Sequence, residues 1–256
     1  MVALNPRSTE RTVEKDWFVH AFDALYPVVY AHRTVESATA ESAFAIDQLH
    51  LCRSCSVLDL CCGNGRHMVH LLKHTPHVVG LDYSSDLLGI ARRQLGGAGH
   101  LLRGDMRAIP FTGAFDALAN FFTSFGYFCN VSVNLAVAQG IARALKPGGR
   151  FFVDYLNPAY LRHHLDPESV RSSGGFEIHD RRWIDPVTNR VNKVTEVKQG
   201  GVLINRSSES VRLYDRSELL ALLDRAGLRM EAMYGTYAGD PVRDDTPRQI
   251  VVGTRM

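Results

Sequence analysis

The chain has 256 residues, 45% of them hydrophobic and 22% charged, enough to bury one sizeable core, so a single α/β domain over 1–256 with an insertion is expected. Its 29 Lys and Arg against 27 Asp and Glu leave a net charge of +2, which supplies no long-range field for nucleic acid or anionic lipid. A small-molecule partner is expected instead. No apolar run approaches the roughly 18–20 residues that span a bilayer, and the polar opening stretch 1–15 is no signal peptide, so the default location is cytoplasmic with no membrane partner.

Trp17, Phe18, Phe22, Leu25, Tyr26, Val29 and Tyr30 recur at spacings of three and four, which predicts an amphipathic helix over 13–31 interrupted at Pro27. A second helix is expected over 34–51, with Thr34 as its N-cap. Together 13–51 read as an N-terminal helical lid. The five cysteines, at 52, 55, 61, 62 and 129, are an odd number and are read as reduced. Cys52-x-x-Cys55 lacks a second CxxC or a paired histidine spacing, so no metal site is expected.

From Ser56, short apolar runs at 57–60, 78–81, 100–102, 115–122 and 150–155 alternate with helical segments at 67–74, 85–94 and 133–145, the last closing at Lys146-Pro147-Gly148-Gly149. This rhythm argues for a doubly wound, mostly parallel sheet with helices on both faces, and places a core at 56–155. Strand-like alternation then occupies 176–183, 191–198 and 202–214, separated by Asp185-Pro186 and Gly200-Gly201, and predicts an antiparallel β insertion over 175–214. A helix over 217–226 closed by Gly227 and strands at 229–234 and 249–254 return residues 215–256 to the main sheet.

Chemistry concentrates where the first apolar run ends at Asp59, before a turn holding Gly63 and Gly65, because glycines let a ligand approach the backbone at the carboxyl end of a strand. Taken alone, the pattern also fits a turn with no ligand. Asp82 ends the next run, 23 residues after Asp59, where a carboxylate can accept from both hydroxyls of a ribose. Gly63-Asn64-Gly65-Arg66-His67-Met68 puts Met68 where a dinucleotide fold wants a small residue for close helix–strand packing, which disfavours NAD.

In order, Leu58-Asp59-Leu60-Cys61-Cys62-Gly63-Asn64-Gly65-Arg66-His67, Gly80-Leu81-Asp82-Tyr83-Ser84, Gly104-Asp105-Met106-Arg107 and Leu145-Lys146-Pro147-Gly148-Gly149 resemble the class I S-adenosylmethionine-dependent methyltransferases. The Asp105-Met106-Arg107 element and Phe122-Thr123-Ser124-Phe125-Gly126-Tyr127 most resemble the branch holding bacterial amino-sugar N-methyltransferases and, more distantly, glycine N-methyltransferase. The resemblance implies a seven-stranded Rossmann-like methyltransferase fold with S-adenosylmethionine as cofactor and S-adenosylhomocysteine as product. It implies that Asp59, Gly63 and Gly65 surround the methionine portion, Asp82 the ribose, and Asp105 with Met106 the adenine. Tyr30, Cys61, Asn64, Arg66, His67, Tyr83, Leu87, Gly104, Arg107, Asn120 and Phe121 complete the expected cofactor set.

Methyl transfer from a sulfonium needs alignment and exclusion of water, so few catalytic residues are expected. Tyr30, Ser124 and Tyr127 are the acceptor-side candidates, with His67, His163 and His164 beside them, and Tyr30 doubles as a lid contact over the methyl group. The expected reaction is methyl transfer to a small molecule, with nitrogen favoured by the resemblance. An RNA methyltransferase and a catalytically idle S-adenosylmethionine-binding protein stand as alternatives, and a homodimer through the insertion is left open. Asn157-Pro158-Ala159-Tyr160 only superficially matches the Asn-Pro-Pro-Tyr element of nucleic-acid amino-methyltransferases, since it follows the fifth strand and lacks the second proline. The loop 234–240 reads as a surface loop, with a wall of the acceptor site as its other reading.

Overall fold

The computed structural model describes residues 13–256, so most of the polar opening stretch lies outside the described residues. The first strands are β1 (Val57–Leu60), β2 (Val78–Asp82), β3 (His100–Arg103), β4 (Phe115–Asn120) and β5 (Leu145–Leu156). With β10 (Leu228–Tyr234) and β11 (Arg248–Arg255) they form one sheet in the order β10-β11-β5-β4-β1-β2-β3. The pairs β3-β2, β2-β1, β1-β4 and β4-β5 are parallel, and β11 runs antiparallel to both its neighbours. This is the expected doubly wound, mostly parallel sheet.

Neighbouring residues along each central strand enter opposite cores. Leu58, Leu118, Phe151 and Val251 pack with Val137 and Ile141 of α5 (Val131–Ala144) and Leu219 and Leu223 of α7 (Arg216–Arg225). Val57, Ala117, Phe152 and Val252 pack on the other face with Ala45 of α2 (Ala38–Gln48) and Leu71 of α3 (Met68–His74). Burial on both faces is why these strands read as continuous apolar runs rather than alternating ones. α4 (Ser85–Leu95) follows β2, and the Ser84 hydroxyl caps it by accepting from Leu87 N–H at 3.1 Å.

Met68 does pack closely against the sheet, contrary to the expectation that it obstructs such packing. Gly80 lies opposite it, and a Cβ there would fall inside contact distance of Met68 Sδ and 2.7 Å from Cys62 Sγ. The space usually made by a small residue on the helix is made here by a glycine on the strand.

Several local expectations are corrected. The 13–31 stretch is not one helix: a short 3-10 turn (Trp17–Val19) is followed by turns and then α1 (Tyr26–Val29). Asp23 breaks the run by accepting from Leu25 N–H at 2.8 Å, and Pro27 sits in the first turn of α1, where its missing donor costs nothing. Thr34 closes a leading turn by accepting from Ser37 N–H at 3.1 Å, one turn ahead of α2. Lys146-Pro147-Gly148-Gly149 lies within β5 as an irregularity, because the register against β4 jumps between Phe115 and Ala117. Cys52 and Cys55 form a disulfide rather than remaining reduced, while Cys61, Cys62 and Cys129 are free.

A separate antiparallel sheet contains β6 (Glu168–Ser173), β7 (Phe176–Asp185), β8 (Arg190–Gln199) and β9 (Val202–Arg212) in that order. Its first strand was not expected, nor was α6 (Pro158–His164) ahead of it. Asn157 caps α6 by accepting from Ala159 N–H at 3.1 Å and donates to the carbonyls of Arg243 and Thr246 at 2.8 and 2.7 Å, so Asn157-Pro158 is a structural cap. Arg190 fastens the second sheet to the core. Its buried guanidinium donates to the carbonyls of Tyr127 at 2.6 Å, Phe128 at 3.2 Å and Ser210 at 2.7 Å, and to the Ser210 hydroxyl at 2.7 Å.

Candidate functional site

The strand order reverses between β1 and β4, and in such sheets a crevice opens beyond the carboxyl ends at that point. A cavity of about 700 Å³ lies there, bounded by the loop after β1, the ends of β2 and β4, the α1 region, and β7, β8 and β9. All the expected site residues line it except Asp59, Gly65, Arg107 and Asn120; His163 and His164 are also off the wall, though Leu161 and Leu165 are on it.

At one end the loop 61–65 is shaped by left-handed backbone at Cys61, Gly63 and Gly65, with φ of 61°, 56° and 79°. A Cβ on Gly65 would also stand 3.1 Å from the Ala91 Cβ, so this glycine serves the backbone bend and the approach of α4. Asp82 supports the loop: its two oxygens accept from Gly63 N–H and Ser84 N–H, both at 2.8 Å. Burial raises its carboxyl above the usual range against the pull of those N–H groups. Each oxygen keeps a lone pair for a further donor.

Asp59 sits behind the loop, 1% exposed, with Oδ2 lacking a hydrogen-bond partner among the described residues. Burial, reinforced by the Asp82 charge, pushes its carboxyl up to about 8. A buried orphan acceptor beside a glycine turn fits a cationic ligand. Asn120 donates to the Leu60 carbonyl at 2.9 Å and steadies the end of β1. Further along, Asp105 accepts from the backbone and guanidinium of Arg107, which lower its carboxyl despite partial burial, and Met106, Leu87 and Phe18 supply apolar wall. Carboxylates plus an apolar slot suit a nucleoside-bearing sulfonium.

The opposite end is basic and aromatic. Phe122 and Thr123 adopt left-handed backbone, φ 55° and 61°, a strained conformation for such side chains. Buried Asp154 holds them there, accepting from Phe122 N–H on its carboxylate and from Thr123 N–H on its carbonyl, both at 2.8 Å. Its carboxylate also accepts from Arg248 at 2.6 Å and from the Tyr237 hydroxyl, so the loop 234–240 braces this wall from behind.

The guanidinium groups of Arg66, Arg33 and Arg248 lie 4.5, 5.0 and 5.4 Å from the centre of the Phe122 ring. Arg66 and His67 share Glu41 of α2, at 2.8 and 2.7 Å. Burial lowers the His67 imidazole to about 4, even with Glu41 opposing, and its ring stacks on Phe121 at 3.9 Å. Tyr30 closes the cavity from α1; burial, then the neighbouring Glu209, raises its phenol well above the ordinary value. Burial likewise raises Tyr127 and, with nearby carboxylates, the Cys61 thiol, so none of these is a ready base or nucleophile.

Lys193 and Glu209 on the insertion, Arg33 and Arg248 belong to no short motif and escape sequence reasoning, and Phe122 enters it only as the first residue of the 122–127 element. Their signal is the packing of the second sheet and the α1 region over the crevice.

Residues 57–149 match the family model described as a methyltransferase domain. The chain is 28% identical over 203 residues to the dTDP-3-amino-3,6-dideoxy-alpha-D-glucopyranose N,N-dimethyltransferase of Streptomyces fradiae, covering 76% of this chain and 78% of the relative. It is also 28% identical over 205 residues to the cypemycin N-terminal methyltransferase of a Streptomyces species, covering 78% and 83%. The solved structure of DesVI from Streptomyces venezuelae superposes with a TM-score of 0.68 at 26% identity, over 91% of this chain and 97% of that one.

Proposed function

Since this chain belongs to the class I S-adenosylmethionine-dependent methyltransferases, we propose that the nitrogen it methylates is the amine of an amino sugar, as in the dimethyltransferase of Streptomyces fradiae to which it is similar. The cofactor supplies an electrophilic methyl group on its sulfonium sulfur. The loop 61–65, with Asp59 behind it, would hold the methionine portion, Asp82 the ribose, and Met106 with Asp105 the adenine. Tyr30 and Phe122 shut water from the reaction zone, and Ser124 and Tyr127 sit on its floor. The single observation that carries this reading is one continuous cavity, acidic beside the glycine turn and basic under the insertion. Its about 700 Å³ is in the range of sites that enclose small molecules and leaves room for an acceptor beside the cofactor.

An RNA acceptor is less well supported, because Arg66, Arg248 and Lys193 are paired with Glu41, Asp154 and Glu209 inside a covered space rather than spread along an open groove. No helix among the described residues is long and apolar enough to cross a membrane. We divide the working unit into the lid over 13–51, the core over 56–155, the antiparallel insertion, and the return segment over 215–256. Titration calorimetry with S-adenosylmethionine, followed by turnover on a panel of amino sugars free and nucleotide-linked, tests the reading. Heat on binding with methyl transfer to an amine is expected; absence of binding sinks it, and binding without turnover on any amine, phenol or RNA favours an idle cofactor-binding protein.

A further inference from the structure

Among the described residues, three carboxylates line the cavity, and two are committed at its cofactor end: Asp82 to the backbone of Gly63 and Ser84, Asp105 to Arg107. The third, Glu209, comes from β9 and stands at the opposite end. Its Oε1 accepts a hydrogen bond from the Tyr30 hydroxyl. Lys193 Nζ donates to the same Tyr30 oxygen at 2.8 Å and lies 3.5 Å from Glu209 Oε1. Lys193 also lies 3.5 Å from Asp180 Oδ1, which anchors it from the far side. Both contacts to Glu209 fall on Oε1, and among the described residues no hydrogen bond reaches Oε2.

We propose that Glu209 binds the acceptor's ammonium group and takes its proton. The assignment rests on the amine-methylating reading given above. Oε2 accepts an N–H of the protonated amine; the N–H bond breaks with its electron pair left on nitrogen, which becomes neutral and nucleophilic, and an O–H bond forms on Glu209. The proton passes to water when the product leaves, restoring the carboxylate, and no other reactant is needed. Tyr30 and Lys193 are positioning residues that fix Oε1 and so aim Oε2.

The surroundings keep Glu209 charged while the site is open. Burial alone pushes the carboxyl up, but Lys193, the Tyr30 hydroxyl and Arg33 outweigh it and hold the group below the ordinary range. The phenols of Tyr26 and Tyr127, both raised by burial, also face it, and the Asp23 carboxylate shares a small cavity with it on the side of α1. A bound acceptor displaces water, and this desolvation favours the neutral amine and carboxylic acid, working against the mutual attraction of ammonium and carboxylate.

The experiment uses the full chain with dTDP-3-amino-3,6-dideoxy-alpha-D-glucopyranose as the probe amine. Glu209→Gln keeps the shape and removes the base. Its kcat is expected to fall by roughly 100-fold or more, while S-adenosylmethionine affinity by calorimetry stays within about twofold, as for a group outside the cofactor end. Binding of the probe to the S-adenosylhomocysteine-loaded variant is expected to weaken by about tenfold or more, as loss of a charged hydrogen bond requires. A variant with kcat and probe affinity both near wild type overturns the assignment. In Lys193→Met the acid limb of the wild-type kcat/KM profile is expected to move to higher pH, because the cation favouring ionised Glu209 is gone; an unmoved limb also overturns it. A wild type that binds cofactor yet methylates no amine overturns the amine reading, and this assignment with it, which separates the two failures.

Discussion

Two glycines, nine residues apart, predict opposite responses to the same substitution. At Gly80 an added methyl would collide with Met68 Sδ and stand 2.7 Å from Cys62 Sγ. A methionine end usually yields, but Met68 is 0% exposed and Cys62 4%, so neither has space to enter. Relief must come from moving α3 off the sheet or from strained rotamers, an overpacking cost of about 1–3 kcal/mol. With unfolding entropy near 2.1 cal/mol/K per residue, a chain of this length converts that to a fall of about 2–6 °C in Tm. Gly89 lies inside α4, where a Cβ meets nothing nearer than Arg93 Nη1 at 3.9 Å. Gly89→Ala should therefore stabilise by about 0.5–1 kcal/mol through chain entropy alone. Melting curves followed by circular dichroism, run on both variants in parallel, check this. If Gly80→Ala melts with the wild type, or both variants shift in the same direction, the account of how Met68 is accommodated is wrong.

Three further outcomes are expected. Asp59 has its carboxyl raised in the folded state from an unfolded value of 3.8 to about 8, so the folded protein holds the extra proton between those values and cofactor-free stability falls as pH rises through that window, by up to about 1.4 kcal/mol per unit. Asp59→Asn should flatten the slope of denaturation free energy between pH 5 and 8 (roughly the middle of that window); an unchanged slope refutes the assignment. Asp82→Ala removes the acceptor of Gly63 N–H and the proposed ribose contacts, and should weaken S-adenosylmethionine binding by about 10–100-fold, equivalent to about 1.5–3 kcal/mol; calorimetric affinity equal to wild type would contradict that role. Arg190→Lys cannot reach all the carbonyls now served from β8, and should cost about 2–4 kcal/mol in urea unfolding; a midpoint equal to wild type would mean the insertion is anchored elsewhere.

The proposed cofactor end of the site is legible in the sequence because local backbone needs write it there. Gly63 and Gly65 occupy left-handed positions that few other residues tolerate, and Asp82 ends its strand where the fold brings every such strand end. Strand and helix order is legible for a similar reason, since burial on both faces makes β1, β4 and the later part of β5 mostly apolar rather than alternating. The stretch 13–31 is not one helix because its apolar spacing reports burial, not helicity: Trp17 and Phe18 are buried in a short 3-10 turn, and Asp23 breaks the stretch before α1.

What tertiary structure alone decides is the proposed acceptor end. Gly80 and Met68 come from different elements and explain each other only once packed. Phe122 and Thr123 are held in strained backbone by Asp154, over thirty residues on. Glu209 and Lys193 look like ordinary alternating polar positions on solvated strands until the second sheet folds over the crevice and sets them against Tyr30. Local sequence determines a backbone conformation and the cofactor it admits; which side chains face that cofactor is determined by non-local packing, which no short motif encodes.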